Sequence, residues 1–374
     1  MYESRIAADR LTVTAVEGFP PEIDALAARN LAGHSFLRAA WYAAPAPSEG
    51  RTLLLRREAD GAVLAAIPTI PFGPAMARAR KVPGSYWPLR SPLIAPDCTV
   101  VELAHALDRR LDHGAARSLG PVWRVGPART DVPATTLLIA AAQLAGWSVL
   151  ARPAGTSWVI DLAAARTRGW PSAASARKLR AAWRKLESLG TPHWRHVRGR
   201  DWNSAVLEDL GRIEAQSWIG QTTDGSGAKF MTPAQRALWR HALSDPVLAQ
   251  NLSATILMLD DRPIAFSFDL DDGPVQYGIA GSYADDLKHL GIGKLANYRA
   301  VEDAIADGQS VMDLGVGDTG YKRMMGAVAG YDMTDLLFVR SGPAAALLAK
   351  AWGPALPAPS PAALAITSEQ AAHG

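Results

Sequence analysis

The alternation of apolar and polar positions predicts two successive sets of strands and helices along the chain. In each half, a hairpin is followed by a helix, a strand, a second helix and a further strand. The repeated order predicts an α+β (α/β) fold with two tandem lobes, each a mixed, mostly antiparallel sheet flanked by helices. The predicted segments are 11–16, 22–41, 51–57, 62–70, 100–118, 122–125, 135–145, 147–152, 157–162, 175–190, 207–218, 253–259, 264–270, 275–281, 292–306, 311–316, 321–326 and 334–339.

The predicted boundary between the lobes lies in the RPAGT sequence at 152–156. The first lobe would span residues 1–155 and the second residues 156–345. The Ala- and Pro-rich residues 346–374 are predicted to form a flexible tail. A chain of 374 residues is long enough for two domains of ordinary size.

Composition narrows the classes of protein to which the chain can belong. Cys98 is the only cysteine, and the eight histidines form no metal-binding motif, so we expect neither a disulfide framework nor a metal site. The chain has no apolar run of about 18 residues, and its mixed-charge N-terminus does not look like a signal peptide. We therefore expect a cytoplasmic protein. A net charge of +3 is too small to predict a nucleic-acid partner.

A Gly-x-Gly turn before the predicted helix at 292–306 is a candidate anion site. Such a turn exposes consecutive backbone amides at the positive end of a helix, which suits a pyrophosphate. An ordinary helix-start turn is the alternative interpretation. The first lobe has no matching turn before its helix at Val100, so we expect that lobe to be non-catalytic. The candidate binding residues are Lys288, Leu290, Gly291, Ile292, Gly293 and Lys294.

A second candidate site follows the predicted strand at 311–316. Asp313 lies in this strand, Asp318 lies in the Gly-rich loop after it, and Tyr321-Lys322 opens a short helix. Carboxylates can relay a proton, a lysine can stabilise a developing oxyanion, and a phenol can protonate a leaving group. Asp313 could instead bond the backbone of the following loop, and Tyr321 could be a packing residue.

A strongly basic helix is predicted at 175–190, where Glu187 is the only acidic residue. Arg177, Arg180 and Arg184 lie along one side at helical spacing. This side could bind the 3′-phosphate of a coenzyme, an anionic acceptor or a lipid head group, or it could simply be solvated. Trp218 precedes a polar, Gly-containing loop that could cover an acceptor, although Trp218 could equally be a core residue.

The order of elements and these motifs together resemble the GNAT acyl-CoA N-acyltransferases. The Lys288-x-x-Gly291-x-Gly293 turn is similar to the family's pyrophosphate-binding R/Q-x-x-G-x-G/A turn, with Lys at the first position. The segment from Asp313 to Ala327 resembles a D-x-x-x-G-D-x-x-Y-K-x-x-x-G-A pattern of the CelD/BcsL-type enzymes. These enzymes are related to the FemABX transferases, which have two GNAT-like lobes.

The resemblance implies an N-acyltransferase that uses acyl-CoA as co-substrate and has no permanently bound cofactor. It places Lys322 nearest the transferred group as an electrostatic stabiliser, with Asp318 as base or orienting group. The implied acceptor is an amine on a sugar, a cell-envelope precursor or a lipid base. Long-chain transfer of the ceramide-synthase type, with peripheral contact to an anionic inner-membrane surface, is one variant. The alternatives are transfer from an aminoacyl-tRNA and a degenerate fold that acts as a binding component of envelope or exopolysaccharide assembly.

Overall fold

The computed structural model describes residues 11–46, 48–84, 91–108, 115–225, 227–318, 320–340 and 342–358. The chain divides into two compact units. The first unit extends to Gly155 and resumes at Asp332, and the second runs from Thr156 to Tyr331. Strands β7 (Ser148–Asp161) and β13 (Val328–Val339) each contribute residues to both units.

The first unit is a mixed sheet with helices packed on it. Its strands follow the order β1-β2-β3-β4-β6-β13, with β5 paired to β3. All of these pairs are antiparallel except β4 with β6. Buried aromatic side chains, including Trp41 and Trp123, fill the core. The elements are β1 (Leu11–Glu17), α1 (Glu22–Ala27), α2 (Ala39–Ala43), β2 (Arg51–Arg57), β3 (Val63–Pro71), β4 (Arg80–Lys81), β5 (Leu93–Ile94), α3 (Val100–Leu107), β6 (Val122–Ala128) and α4 (Pro133–Leu144), followed after the second unit by α13 (Gly342–Trp352).

The second unit is also a mixed sheet. Its strands follow the order β7-β12-β11-β10-β9-β8, and only β11 and β12 are parallel. The predicted fold class, with mixed and mostly antiparallel sheets flanked by helices, is confirmed. The elements are α5 (Leu162–Arg168), α6 (Ala173–Glu187), β8 (Pro192–Arg198), α7 (Ser204–Gln216), α8 (Trp218–Thr222), α9 (Pro233–Ala242), α10 (Pro246–Asn251), β9 (Leu252–Leu259), β10 (Arg262–Asp272), β11 (Val275–Tyr283), α11 (Ile292–Ala306), β12 (Val311–Val316) and α12 (Tyr321–Met324).

The two faces of the second sheet have different cores. On one face, Phe266 and Phe268 of β10 pack edge-on against Phe230 and Trp239. On the other face, α11 buries Tyr298 and Val301 in a cluster that includes Met312 of β12. These residues recur every three or four positions along α11, which is why the helix was predictable from its apolar spacing.

The predicted domain limits differ from the structure at the C-terminal end. Residues 332–345, predicted to belong to the second lobe, lie with the first unit. There, Asp335 accepts paired hydrogen bonds from Arg124 at 2.7 and 2.8 Å. Residues 346–352 complete helix α13 instead of starting a flexible tail, and residues 359–374 lie outside the described residues. A cation–π contact anchors the end of this helix, because the guanidinium carbon of Arg152 lies 3.8 Å from the ring centre of Trp352.

The structure also joins two strands that the sequence separated. The predicted segments 147–152 and 157–162 form the single strand β7. No helix in the described part of the chain combines the length and apolar character needed to cross a membrane.

Candidate active site

The two parallel strands at the centre of the second unit pair only at their beginnings. Their register runs from Val275 opposite Val311 to Tyr277 opposite Asp313. Beyond this point β11 continues to Tyr283 and β12 to Val316 without further ladder pairs between them in the described residues. The sheet therefore opens at the carboxyl ends of two adjacent parallel strands, where α/β folds commonly bind ligands.

A β-bulge in β11 lies directly beside this opening. The register with β10 passes from Phe268 opposite Ala280 to Asp269 opposite Gly278. Strand β11 therefore has one additional residue, Ile279, at this position. A bulge bends the strand that contains it and re-aims its backbone groups, which is why bulges are common next to active sites. Here it accompanies the separation of β11 from β12.

Helix α11 begins just beyond the open end of β11. Gly291 precedes it in the left-handed conformation, with φ of 75°, and its carbonyl oxygen accepts from the amides of Lys294 and Leu295 at 3.0 and 3.1 Å. The amides of Ile292 and Gly293 fall in the first turn, ahead of any intrahelical acceptor. A 15-residue helix that starts this way presents donors and a positive dipole end to an anion.

The six residues predicted to bind the donor differ in their surroundings. Leu290 and Ile292 are buried in the core, so their side chains are packing residues. Lys288 is exposed, and its Nζ donates to Asp285 at 2.9 Å. Lys294 is half-buried, with Nζ 5.2 Å from the ring centre of Tyr298. A Cβ on Gly293 would lie 2.4 Å from the ring of Tyr283, so this glycine is also required for packing.

Asp313 organises the end of β12. Its Oδ1 accepts hydrogen bonds from the Gly315 amide at 2.8 Å and from the Ser157 hydroxyl, and its Oδ2 accepts one from the Tyr331 hydroxyl. The residue is 2 % exposed. Gly315 adopts φ of 75°, and the register of β12 with β7 shifts between Asp313 and Val316. The geometry therefore favours the alternative in which Asp313 bonds the following backbone.

Lys322 is a buried residue and does not extend into an open cleft. Its Nζ donates to the carbonyl oxygens of Gly315 at 2.7 Å and Val316 at 3.2 Å. Only 4 % of the residue is exposed, and burial lowers the pKa of its amine to about 8. This geometry differs from the predicted role as an electrostatic stabiliser. The ammonium is instead bonded to the backbone at the end of β12, where Gly315 is left-handed.

Asp318, predicted to act as a base or an orienting group, is likewise engaged with the local backbone, which favours the orienting role. Its Oδ1 accepts from the amides of Gly320 at 2.7 Å and Lys322 at 3.1 Å, before and within the first turn of α12. Its Oδ2 accepts from the guanidinium of Arg323 at 2.6 Å. The Asp318 carboxylate therefore caps the N-terminus of α12 through Oδ1 and pairs with a residue of the same helix through Oδ2.

Tyr321 is the predicted catalytic residue with an accessible side chain. It is the first residue of α12, is 38 % exposed, and its hydroxyl has no hydrogen-bond partner among the described residues. Partial burial of the phenol, followed by the charge of Asp318, raises its pKa, so the phenol keeps its proton at neutral pH. Met324 and Val328, at 72 % and 60 % exposure, extend an apolar surface along the same segment.

Sequence reasoning missed a cluster that joins α6, α11 and α12. The Tyr298 hydroxyl donates to the carbonyl of Met324 at 3.2 Å and lies 3.4 Å from the Ser175 hydroxyl. Trp170 stacks on Tyr298 at 4.9 Å and donates its Nε1 proton to the carbonyl of Met325 at 3.1 Å. The apolar spacing of α11 identified Tyr298 as a core residue, but no local signal indicates which backbone its hydroxyl meets.

The basic helix packs through its apolar side and exposes its charges. Leu186 is fully buried in a cluster with Leu290 and Ile292, directly beside the start of α11. The exposed residues on the other side form no ion pair in the described part of the chain; they are Arg177, Lys178, Arg180, Arg184 and Lys185. The apolar side of α6 is therefore anchored beside the start of α11, and the cations face away from this core.

Trp218 lies at the start of α8 and is 53 % exposed, which excludes the alternative that it is a core residue. Two residues earlier, Gln216 accepts from Arg262 at 3.1 Å, and Arg262 also pairs with Asp286. Asp286 belongs to the short 3₁₀ helix, Asp285–Leu290, that precedes Gly291. These contacts join the end of α7, next to Trp218, to the segment before the α11 turn.

A comparison with protein families finds a match over part of the chain. Residues 173–323 match the family model described as Acetyltransferase (GNAT) domain. This GNAT segment, as we call it below, begins with α6 and ends in α12, so it contains the strand opening, the bulge and the α11 turn. No curated protein matches the chain. The CelD/BcsL subtype, which the sequence suggested, has no support beyond the motif itself.

Solved structures share the fold at low sequence identity. The crystal structure of FemX has a TM-score of 0.56 at 10 % identity, with 89 % of this chain and 99 % of that chain covered. The C-terminal domain of a proposed lysylphosphatidylglycerol synthetase from Agrobacterium fabrum has a TM-score of 0.51 at 13 % identity, with 88 % of this chain and 93 % of that chain covered. L-PGS from Bacillus licheniformis has a TM-score of 0.51 at 12 % identity, with 89 % of this chain and 95 % of that chain covered. These similarities show the fold alone.

Proposed function

We propose that the protein is an acyl-CoA-dependent N-acyltransferase. The observation that carries the proposal is the separation of β11 from β12 beyond Tyr277 and Asp313, within the segment that matches the GNAT domain. The opening would accept the thioester arm of the donor. The amides of Ile292 and Gly293 would bind its pyrophosphate at the start of α11.

The chemistry requires an amine nitrogen to attack the thioester carbon and the carbon–sulfur bond to break. Backbone amides of β11 at the bulge would stabilise the charge that develops on the carbonyl oxygen. Tyr321 would donate its phenolic proton to the departing thiolate, because its pKa is raised and its hydroxyl is available. The attacking amine would release its proton to solvent, and solvent would return a proton to the phenolate. Asp313, Asp318 and Lys322 would hold β12 and α12 in place without touching the reacting atoms.

The acceptor we propose is an amine on an anionic or membrane-associated molecule, such as a cell-envelope precursor, a sugar or a lipid base. Support comes from the exposed cations Arg177, Arg180 and Arg184 on α6, a helix whose apolar side packs beside the start of α11. Where the acceptor is a lipid, the same cations would contact the anionic surface that contains it, and the donor would have a long acyl chain. Trp218, exposed at the start of α8, would contact the acceptor.

Thermal unfolding with coenzyme A, acetyl-CoA and palmitoyl-CoA tests donor binding. A ligand that binds only the native chain stabilises it by about 2.7 kcal/mol at one hundred times its dissociation constant. We expect a raised unfolding midpoint with all three compounds, and the largest shift with palmitoyl-CoA. The absence of a shift with every one of them, together with binding of an aminoacyl-tRNA, would instead assign a FemX-like donor.

Tyr321→Phe tests the chemistry separately from binding. The substitution keeps the ring and removes the proton donor, so the shift with acyl-CoA should persist while thiol release in the presence of amines falls by roughly 100-fold. Met324→Ala, a neighbouring exposed residue, serves as the control for local disturbance. Wild-type turnover in Tyr321→Phe would remove Tyr321 from the mechanism.

A further inference from the structure

A cavity of about 530 Å³ lies in the first unit, away from the residues discussed so far. It is formed by the end of β3, the turn that follows it and the segment before β6. We propose that this cavity is a binding site for a small phosphate-bearing molecule. The proposal does not depend on the acyltransferase reaction. The lining residues are Arg51, Pro71, Phe72, Gly73, Pro74, Ala75, Arg78, Ala79, Arg80, Arg117, Ser118, Gly120 and Pro121.

Four arginines and no carboxylate are found among these lining residues. Arg80 is half-buried and donates to neutral oxygens only: the Thr69 hydroxyl and carbonyl, both at 2.8 Å, and the Glu49 carbonyl at 3.2 Å. Burial and the neighbouring charge of Arg51 lower the pKa of Arg80, and the carboxylates of Glu17 and Glu49 offset only part of this effect. A bound anion would offset more of it.

The other arginines leave the cavity with excess positive charge. Arg51 pairs with Glu17 at 2.8 Å, but that carboxylate is 77 % exposed. Arg78 and Arg117 are exposed and have no ion pair in the described part of the chain. Like charges held near one another are unfavourable, and a divalent anion offsets more of this repulsion than a single carboxylate would.

The Ser118 hydroxyl provides an independent indication of a ligand. Ser118 lines the cavity and is 8 % exposed, and its Oγ has no hydrogen-bond partner among the described residues. A buried hydroxyl without a partner is unfavourable, so such groups are normally satisfied. A phosphate oxygen within the cavity would accept a hydrogen bond from the Ser118 hydroxyl, while the arginines bind the remaining phosphate oxygens.

The backbone around the cavity is closely fitted. Arg78 adopts the left-handed conformation with φ of 48°, which places its carbonyl against Gly120. A Cβ on Gly120 would lie 2.2 Å from this carbonyl oxygen, so only glycine permits the approach. Phe72 and Pro74 add apolar surface beside the arginines, suited to the organic part of a phosphate ester.

Calorimetric titration of the full chain with inorganic pyrophosphate, at low salt, tests the proposal. We expect saturable binding that weakens by about tenfold in Arg78→Ala and again in Arg117→Ala. Both side chains are exposed, so the variants should fold normally. Arg129→Ala removes equal charge elsewhere in the first unit and should leave this binding unchanged. Hydrogen exchange should show protection at 72–80 and 117–121.

Ser118→Ala separates a ligand role from a structural one. Removing an unsatisfied buried hydroxyl should leave the ligand-free chain as stable as before or slightly more stable, while pyrophosphate binding weakens about tenfold. Glycerol 3-phosphate and phosphatidylglycerol vesicles, titrated in parallel, distinguish a soluble phosphate ester from a lipid head group.

The proposal is overturned if pyrophosphate binding is unaffected in Arg78→Ala and Arg117→Ala, if protection appears only in the second unit, or if malonate binds as tightly as pyrophosphate. Its failure would leave the acyl-CoA shifts intact. Conversely, loss of the acyl-CoA shifts would leave pyrophosphate binding to this cavity in place. The two proposals can therefore fail separately.

Discussion

At the scale of single residues, Lys322 shows how burial changes the meaning of a charged side chain. Its ammonium satisfies two carbonyl oxygens at the irregular end of β12. A neutral amine still has two N–H donors, so both bonds can survive deprotonation. Lys322→Met keeps much of the apolar stem but leaves the two carbonyls without this donor. We expect it to lower the free energy of unfolding by about 2 kcal/mol, measured by urea denaturation.

The same residue predicts a pH dependence. Burial lowers the pKa of Lys322 from 10.5 to about 8, so between these values the unfolded chain binds more protons than the folded chain. Stability contributed by a group of this kind rises with pH. The difference in unfolding free energy between wild type and Lys322→Met should therefore grow from pH 8 to pH 10. A difference that stays constant would mean that Lys322 titrates normally.

Gly291 tests the turn before α11. Its φ of 75° is left-handed, and among the described residues no atom outside the local backbone lies within 4 Å of the position a Cβ would take, so conformation rather than space requires glycine here. Gly291→Ala should destabilise the ligand-free chain by about 1 kcal/mol, measured by thermal unfolding. Asn tolerates the left-handed conformation better than Ala does, so Gly291→Asn should destabilise the chain less than Gly291→Ala. Equal losses in both variants would show that the turn does not depend on this φ.

At the scale of elements, α6 separates into a packing side and a charged side. Leu186 is fully buried beside the α11 turn, while Arg184 is exposed. Leu186→Ala should cost about 2–5 kcal/mol in unfolding free energy because it leaves a cavity, and should weaken acyl-CoA binding by disturbing Leu290 and Ile292. Arg184→Ala should change stability by less than about 0.5 kcal/mol. Similar losses in both would contradict this division.

Helices and strands were predicted correctly where a continuous local pattern of apolar residues specifies them. Strands β9 to β11 and helix α11 were predicted within a few residues because each has a continuous apolar pattern. Strand β8 was missed because it is an edge strand with polar side chains on both faces, and only Val197 is buried. Edge strands of this kind lack the alternation that identifies strands.

The sequence predicts which segments form the candidate site, but it does not predict the contacts of their side chains. The sequence motifs predicted site residues in the β12–α12 segment and in the α11 turn, and the GNAT segment contains most of both. The motifs could not show that Asp313, Asp318 and Lys322 are engaged with backbone groups. These contacts depend on a left-handed Gly315 and on the β7 residue Ser157, which is distant in sequence. Residue type gives the available chemistry, but tertiary contacts decide which groups remain accessible.

At the scale of the whole molecule, each unit has its own candidate ligand site. The second unit has the strand opening expected for an acyl donor. The first unit, predicted to be non-catalytic, contains an arginine-lined cavity instead of a Gly-x-Gly turn. Two units of similar topology can therefore hold different chemistry, because function resides in the site and not in the fold.

The C-terminal segment gives a prediction for the assembled chain, since residues 342–358 return to the first unit instead of forming a free tail. Trp352 lies over Arg152, and its Nε1 donates to the carbonyl of Asp335 at 3.3 Å. Trp352→Ala removes a cation–π contact and a hydrogen bond, which should lower the unfolding midpoint by roughly 2–8 °C in calorimetry. Lys350→Ala, on the exposed side of the same helix, should leave the midpoint unchanged. If both variants unfold at the wild-type temperature, α13 does not stabilise the first unit.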